Sequence, residues 1–301
     1  MAETPLVSVI IPTYKRPEML ARAIDSVLAQ DYAHIEAIVV NDNPLESDED
    51  RRTEEVLSAY AAELRVVALH TAGKTGGGAA RNFAEKHCHG SYLTFLDDDD
   101  VYLPHKVSQQ LSYMLEHDLD FCYTDVCWYT PDEKLVEHRR LDYVQNFTKE
   151  ELLRQHILHS LSPSAIYMVK KSLYDMTEGF GEVPVGQDWF LMLRCIEAGA
   201  RMGYLPECEI KQYLHEGERL STGKNKIEGE NRLFRYKRKY YSILSPKERR
   251  YVTFRHYAVL SFASMRSRRP LEGIAYGIRT IISSPADCIS EAKRYLDSKR
   301  H

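Results

Sequence analysis

The first hundred residues alternate between short apolar runs that favour strands and segments with helical spacing, which constrains the fold strongly. The apolar runs cover residues 6–12, 35–42, 64–70 and 91–96. After the first run, apolar side chains recur at helical spacing from Pro17, a residue suited to a first helical turn. This alternation predicts an α/β fold in which helices flank a mostly parallel central sheet.

A polar cluster follows each of the four predicted strands. In chain order the clusters read PTYKR, NDN, GKTGGG and DDDD. The carboxyl ends of parallel strands meet at one edge of the sheet, and ligands of such proteins bind beyond that edge. We therefore expect the four loops to converge on a single site.

The stretch SYLTFLDDDDVYLP places four consecutive carboxylates, Asp97 to Asp100, directly after a buried strand. Their mutual repulsion lowers stability unless a cation or a set of hydrogen-bond donors compensates it. Carboxylates with Mg²⁺ or Mn²⁺ are a common means of holding a substrate diphosphate. A solvated acidic loop is the alternative, but the position beside the glycine-rich loop favours a metal site.

The glycine-rich stretch GKTGGGAARN is not a P-loop, because Ala68 stands where that motif requires its first glycine. Glycines between a strand and a helix still allow the backbone to approach a ligand closely. We expect Lys74 and Arg81 to face anionic groups near the start of this helix. A flexible turn with two surface cations is the alternative interpretation.

The rest of the chain has an irregular middle and a helical end. Residues 120–130 and 165–169 are predicted as strands, whereas residues 148–160 and 188–200 are predicted as helices. The pattern is helical from residue 226 onward. We expect a first domain over residues 1–225, with a nucleotide-binding half over 1–100 and an acceptor half over 101–225, and then a helical region over 226–301.

The net charge of −4 conceals a strong asymmetry along the chain. Residues 230–301 contain 17 Lys and Arg against 6 Asp and Glu, whereas the preceding residues contain 23 against 38. An acidic body argues against a nucleic-acid partner. The basic end favours an anionic membrane surface, a homodimer contact or packing against the body, and these alternatives stay open.

The six cysteines contain no C-x-x-C pair, and the first residues lack the features of a secretory signal. The longest apolar stretches are also too short to span a bilayer. These features predict a cytoplasmic protein, and a peripheral location at the inner face of the cell membrane is the alternative that the basic end adds.

Five stretches carry a specific resemblance over about Val7 to Ser221: VSVIIPTYKRPEMLARAIDSVLAQDY, IVVNDN, GGGAARN, GSYLTFLDDDDVYLP and GQDWFLMLR. In order and spacing they resemble the family 2 glycosyltransferases, which have the Rossmann-like GT-A fold. The resemblance implies an inverting enzyme that uses Mn²⁺ or Mg²⁺ to transfer a sugar from a nucleotide diphosphate sugar, most often a UDP-sugar. The implied acceptor is a hydroxyl of a saccharide or a lipid-linked saccharide, in the synthesis of surface polysaccharide or glycoconjugate.

The resemblance also assigns roles to individual residues. It implies a nucleotide-sugar site made of Thr13, Tyr14, Arg16, Asp42, Lys74, Arg81, Asp97 and Asp98. In this site Asp42 would bind the base, and Arg81 would lie near the base and the diphosphate.

For the metal, the resemblance implies Asp99 as the principal ligand, with Asp97 and His215 nearby. Because four aspartates are consecutive, Asp98 and Asp100 stay open as alternatives for a role assigned to a neighbour. Asp188 would be the general base. Gln187 stands where an acidic residue often precedes that base.

Two other functions fit parts of the sequence. DDDDV after an apolar strand also matches the D-x-D-x-V motif of haloacid dehalogenase-like phosphatases, in which Asp97 would attack phosphate and Asp99 would be the acid/base. That family has the motif on its first strand, whereas three strands precede it here. A non-catalytic scaffold that binds nucleotide sugars is the second alternative.

Overall fold

A computed structural model describes residues 4–181, 183, 185–214 and 223–298. The chain divides into two compact units. The first consists of Met1–Leu152, Leu161–Glu182 and Gln187–Glu216, and the second of Leu153–Ser160, Val183–Gly186 and Gly217–His301. The second unit thus includes two short segments from before residue 225, where we placed the domain boundary. That boundary stays a prediction.

The first unit begins with the predicted alternation of strands and helices. Its first seven elements are β1 (Val7–Thr13), α1 (Pro17–Leu28), β2 (Ile35–Asn41), α2 (Asp48–Ser58), β3 (Val66–His70), α3 (Gly77–Glu85) and β4 (Tyr92–Phe95). The four predicted strands and the helix that begins at Pro17 are all confirmed.

Eleven further elements complete the described part of this region. They are β5 (Val101–Tyr102), α4 (Lys106–Glu116), β6 (Phe121–Thr124), β7 (Val126–Tyr129), β8 (Leu135–Arg139), α5 (Lys149–His159), β9 (Tyr167–Lys170), α6 (Lys171–Met176), α7 (Gln187–Glu197), β10 (Met202–Leu205) and β11 (Ile210–Tyr213). The helix α5 begins in the first unit and continues into the second.

The central sheet has seven strands in the order β10, β6, β9, β4, β1, β2, β3. All neighbouring strands are parallel except those beside β9, which is antiparallel to β4 and β6. The predicted α/β class with a mostly parallel sheet is confirmed. Every residue of β2 is buried, as expected for a parallel strand that is covered on both faces.

The strand predicted over residues 120–130 is in fact two strands that belong to different sheets. The break falls at Asp125, between β6 in the central sheet and β7 in a second sheet of order β5, β11, β7, β8. The Asp125 side chain is buried and accepts hydrogen bonds from the Leu141 amide at 3.0 Å and from the Tyr204 hydroxyl. A buried carboxylate needs such donors, and they hold the chain where it changes sheets.

A disulfide joins Cys127 of β7 to Cys208, which lies two residues before β11. These two strands are parallel neighbours in the second sheet. The spacing of the cysteines did not indicate this pair, because the two residues are 81 positions apart. The disulfide therefore links two strands that are distant in sequence and become neighbours only in the folded sheet.

The second unit is helical, as predicted for the end of the chain. Its main elements are α8 (Gly223–Lys239), α9 (Pro246–Arg266), α10 (Pro270–Ser283) and α11 (Pro285–Ser298). A small core includes Ile157, Leu158, Leu244 and Val252. Within the described ranges, no helix is both long enough and apolar enough to cross a membrane.

Candidate active site

The run of four aspartates lies at the carboxyl end of β4 and begins two residues after the strand ends. Carboxylate oxygens of Asp97, Asp99 and Asp100 lie within 4.8 Å of one another. Hard divalent cations such as Mg²⁺ and Mn²⁺ prefer oxygen ligands, so the chemistry and spacing of this cluster suit such an ion.

Asp98 contacts the end of β1 and the loop that follows it. It is buried and accepts hydrogen bonds from the Thr13 hydroxyl at 2.8 Å and from an Arg16 guanidinium nitrogen at 3.1 Å. Burial raises the pKa of Asp98 to about 7, although the charge of Arg16 opposes the shift. Asp98 therefore joins the first and fourth loops of the sheet edge.

Two arginines partly neutralise the aspartate cluster. Arg16 contacts Asp99, and Arg81 contacts Asp97. Arg22 also donates to the Asp99 backbone carbonyl at 3.0 Å. These positive charges offset part of the repulsion among the four aspartates.

Asp100 is held by the second sheet. Its two carboxylate oxygens accept hydrogen bonds from the Gln212 side chain at 2.8 Å and from the Tyr213 amide at 3.0 Å, both on β11. The pKa of Asp100 is raised by burial and by the charges of Asp99 and Asp97. Asp97 is more accessible, with 39 % of its side chain exposed.

Asp42, at the end of β2, organises the glycine-rich loop that precedes α3. Its carboxylate accepts from the Thr75 amide at 3.0 Å, from the Thr75 hydroxyl at 2.7 Å and from the Gly76 amide at 2.9 Å. The Lys74 amide donates to the Asp42 carbonyl at 2.8 Å. Gly76 has a φ of +89°, a conformation that glycine adopts without strain.

Arg81 of α3 is a buried cation between the glycine-rich loop and the aspartates. Its guanidinium lies 5.2 Å from the centre of the Phe180 ring and binds Asp97. Its Nε is buried and makes no hydrogen bond with any described residue. A buried donor without an acceptor is unusual in a folded protein and suits an anionic ligand.

Asp188 lies in the first turn of α7, where its side chain is partly buried. Burial raises the pKa of Asp188, the charge of Arg81 lowers it and the charge of Asp97 raises it. The carboxylate is therefore within electrostatic reach of the residues beside the aspartate cluster.

The first turns of α3 and α7 approach each other because α3 begins with glycines. A Cβ atom on Gly77 would lie 2.9 Å from an Arg81 guanidinium nitrogen, and one on Gly78 would lie 3.1 Å from the Gln187 side chain. The absence of side chains at these positions makes room for the functional groups of both helices.

The remaining predicted residues have different surroundings. Thr13 is buried, Tyr14 is half-buried, and the Tyr14 amide is 3.4 Å from Asp98. Lys74 is exposed, with a positive φ of 55°. His215 lies outside the described residues.

Three residues that were not predicted from the sequence support the aspartates from distant parts of the chain: Arg22, Gln212 and Tyr213. The Arg22 guanidinium lies 4.1 Å from the centre of the Tyr213 ring. None of the three belongs to a polar cluster after a predicted strand of the first hundred residues. No local signal therefore marked them.

The family model of glycosyl transferase family 2 matches residues 8–176, more than half of the chain. The chain belongs to glycosyltransferase family 2. This identifies it as a glycosyltransferase and confirms the resemblance drawn from its five motifs.

Three curated relatives illustrate how far the similarity extends. An uncharacterized glycosyltransferase of Rickettsia bellii is 32% identical over 197 residues, 63% of this chain but only 28% of the relative. The putative colanic acid biosynthesis glycosyl transferase WcaA of Escherichia coli is 25% identical over 86% of this chain and 90% of its own. A glucosyltransferase of Escherichia coli, WfgD, is 34% identical over 39% of this chain and 44% of its own.

Solved structures of two glycosyltransferases have the same fold. Staphylococcus aureus TarS 1–349 in complex with UDP-GlcNAc has a TM-score of 0.62 and 17% identity, and the match covers 92% of this chain and 89% of that one. The mannosyltransferase PcManGT of Pyrobaculum calidifontis, in complex with GDP-Man and Mn²⁺, has a TM-score of 0.59 and 14% identity, covering 94% and 89%. The GT-A fold is therefore confirmed.

Proposed function

We propose that this glycosyltransferase is an inverting, metal-dependent enzyme that transfers a sugar from a nucleotide diphosphate sugar to an acceptor hydroxyl. The observation that carries the proposal is the cluster of Asp97, Asp99 and Asp100, which lies beside the buried Arg81 and within electrostatic reach of Asp188. Such a site combines cation ligands, an anion-binding donor and a separate carboxylate.

Asp97 and Asp99 are the proposed ligands of Mn²⁺ or Mg²⁺. Both oxygens of Asp100 already accept protein hydrogen bonds, so its main role in the proposal is to hold the cluster against β11. When bound, a divalent cation stabilises the negative charge of the departing diphosphate. The assignment of His215 as a further group near the metal or phosphate belongs to the same proposal.

Arg81 is the proposed donor to the diphosphate. Its buried Nε has an unused N–H, and the glycines at the start of α3 add no side chain beside its guanidinium. Thr13 and Tyr14 would line the nucleotide pocket, and Asp42 would shape the loop that contains Lys74.

Asp188 is the proposed general base. It would accept the proton of the acceptor hydroxyl while the new glycosidic bond forms on the opposite face of the sugar from the leaving diphosphate, which inverts the configuration. Burial raises its pKa and so strengthens it as a base, while the charge of Arg81 opposes the shift. The acceptor oxygen becomes acidic only as the bond forms, so a strongly raised pKa is unnecessary.

The names of similar proteins support particular substrates. The TarS structure contains UDP-GlcNAc, and WfgD is named as a glucosyltransferase that uses UDP-Glc and a diphosphoundecaprenol-linked acceptor. We therefore favour a UDP-sugar donor and a saccharide or lipid-linked saccharide acceptor in the synthesis of surface polysaccharide. GDP-sugars are the main alternative, since the PcManGT structure contains GDP-Man.

The positive charge of residues 230–301 supports a location at the inner face of the cell membrane, where the enzyme would act on an anionic lipid surface. A homodimer contact through the same end is the alternative.

In a reducing cytoplasm we expect Cys127 and Cys208 as two thiols, whereas a disulfide in freshly isolated protein would count against that location. Alkylation followed by mass spectrometry distinguishes these two states.

The test of the proposed function is a calorimetric screen of UDP-sugars and GDP-sugars with Mn²⁺ and then with a chelator. We expect one donor to bind, and its binding to weaken at least tenfold, on the order of 1.4 kcal/mol, when the metal is removed. Equal binding in both conditions would refute metal dependence. Binding of no nucleotide sugar at all would refute the proposed site.

Two assays address the alternatives. Hydrolysis of the bound donor without an acceptor would count against a non-catalytic scaffold. Turnover of a phosphomonoester that exceeds turnover of every nucleotide sugar would favour the phosphatase interpretation of Asp97 and Asp99.

A further inference from the structure

Helix α10 has its apolar residues on the outside. Leu271 and Ile282 have exposed fractions of 83% and 74%, and three more isoleucines of this helix are more than half exposed. Together they form what we call the α10 stripe: Leu271, Ile274, Ile278, Ile281 and Ile282. At about 100° per residue these side chains fall within about a third of the helix circumference, so they form one continuous face.

The opposite face of α10 packs on α9 through two glycines and through Tyr276, whose ring stacks on that of Tyr257 with the centroids 6.2 Å apart. The Ser261 hydroxyl donates to the Gly273 carbonyl at 2.8 Å, and a Cβ on Gly273 would lie 2.6 Å from the Met265 sulfur. Gly277 also lies beside Ser261. A side chain at Gly273 would displace Met265, so the present contact with α9 favours the orientation that leaves the isoleucines on the other face.

A contiguous exposed apolar face usually marks an interaction surface. The charge of the surrounding chain indicates what covers it here. Residues 230–301 contain 17 Lys and Arg against 6 Asp and Glu, and the exposed Arg266, Arg268 and Arg269 immediately precede α10. A second copy would bring two strongly positive surfaces together, whereas an anionic surface would be attracted.

We propose that α10 lies in the interface of an anionic lipid bilayer, with the α10 stripe inserted at the boundary between headgroups and acyl chains. The helix has 14 residues, and no described helix suits a membrane span, so it would lie parallel to the surface. The arginines before it would contact lipid phosphates. The inference deepens the proposed function, because a lipid-linked acceptor would then be concentrated on the surface that holds the enzyme.

The experiment is flotation of the full chain with vesicles of phosphatidylcholine alone and of phosphatidylcholine with phosphatidylglycerol, at low and at high salt. We expect binding to the anionic vesicles at low salt, and weaker binding at high salt or without anionic lipid. In the variant Ile278→Ser/Ile281→Ser, we expect the affinity for anionic vesicles to fall roughly tenfold or more. The variant should unfold at the same temperature as the wild type, because both residues are exposed.

The matched control is Leu64→Ser/Met176→Ser, which removes two exposed apolar side chains from the first unit. It should bind vesicles as the wild type does. Equal binding of the stripe variant and the wild type would overturn insertion of the stripe, and absence of wild-type binding would overturn the proposal altogether. A dimer that the stripe substitutions dissociate, with no vesicle binding, would also overturn it and would assign the face to a second copy.

This outcome is separable from that of the proposed function. Flotation needs no nucleotide sugar, and calorimetric binding of the donor needs no vesicles. If the stripe variant no longer binds vesicles but keeps its affinity for the donor, the result supports the membrane proposal independently of the catalytic one. Failure of donor binding in a wild type that still binds vesicles would refute only the catalytic proposal.

Discussion

The burial of Lys106 predicts how the free energy of unfolding should change with pH, and by how much. Lys106, a residue of α4, has an exposed fraction of 1%. It lies beside β4, the strand that precedes the aspartates. Its ammonium donates to Gln110 and, at 3.2 Å, to the Thr94 hydroxyl, and it lies 4.9 Å from the centre of the Tyr102 ring. None of these described partners is an anion. Burial lowers the pKa of Lys106 from 10.5 to about 7.

The sign of the pH dependence follows from this shift. Between pH 7 and 10.5 the unfolded chain binds a proton at Lys106 that the folded chain largely lacks, so stability rises with pH. From the two pKa values, the wild type should gain about 2 kcal/mol between pH 7 and pH 9 from this group alone. The variant Lys106→Met keeps the length of the side chain but cannot titrate, so it should lack this gain.

The assay is urea denaturation of both proteins at pH 7, 8 and 9, followed by tryptophan fluorescence. The difference in free energy of unfolding, wild type minus variant, should rise with pH by about 2 kcal/mol over this range. The loss of two hydrogen bonds changes the offset between the curves but not their slopes. Lys86→Met, which removes an exposed lysine, should give a curve parallel to the wild type. Parallel curves for Lys106→Met would refute the reasoning.

Three substitutions test the candidate site. Asp188→Asn should lower turnover by about 10²-fold or more with donor affinity nearly unchanged, because an amide cannot accept the acceptor's proton; steady-state kinetics with calorimetry would expose the opposite pattern. Asp99→Ala should abolish the Mn²⁺-dependent part of donor binding in calorimetry, and an unchanged metal response would exclude it as a ligand. Gln212→Leu should lower the free energy of unfolding by about 1–3 kcal/mol in urea titrations, because Asp100 loses a buried donor; an unchanged midpoint would contradict that role.

Much of the fold was predictable because its signals are local. The strands β1, β2 and β3 come from short apolar runs that contain β-branched residues, and Pro17 marks the start of α1 in the sequence as in the structure. The convergence of the four loops was also predictable, since parallel strands place their carboxyl ends at one edge. The contact from Asp98 to Thr13 connects the fourth cluster with the end of the first strand, and the contact from Asp42 to Thr75 connects the second and third clusters.

The change from the central sheet to the second sheet at Asp125 could not be predicted from local sequence signals. The residues on both sides favour a strand, so the sequence predicts one strand where the structure has two. What separates them is a set of donors from Leu141, Tyr204 and His138, and these meet the carboxylate only in the folded chain.

The sequence by itself determined the alternation of strands and helices, the positions of the polar loops and the glycosyltransferase motifs. These are properties of neighbouring residues, governed by periodicity and turn chemistry. The tertiary structure decided how the four consecutive aspartates differ, since Asp98 faces Thr13 and Asp100 faces Gln212. It also decided that the isoleucines of α10 lie outside, because the other face of the helix, with Gly273 and Tyr276, packs on α9. Both outcomes depend on contacts between different elements, and burial and hydrogen bonding select those contacts only when the chain is folded.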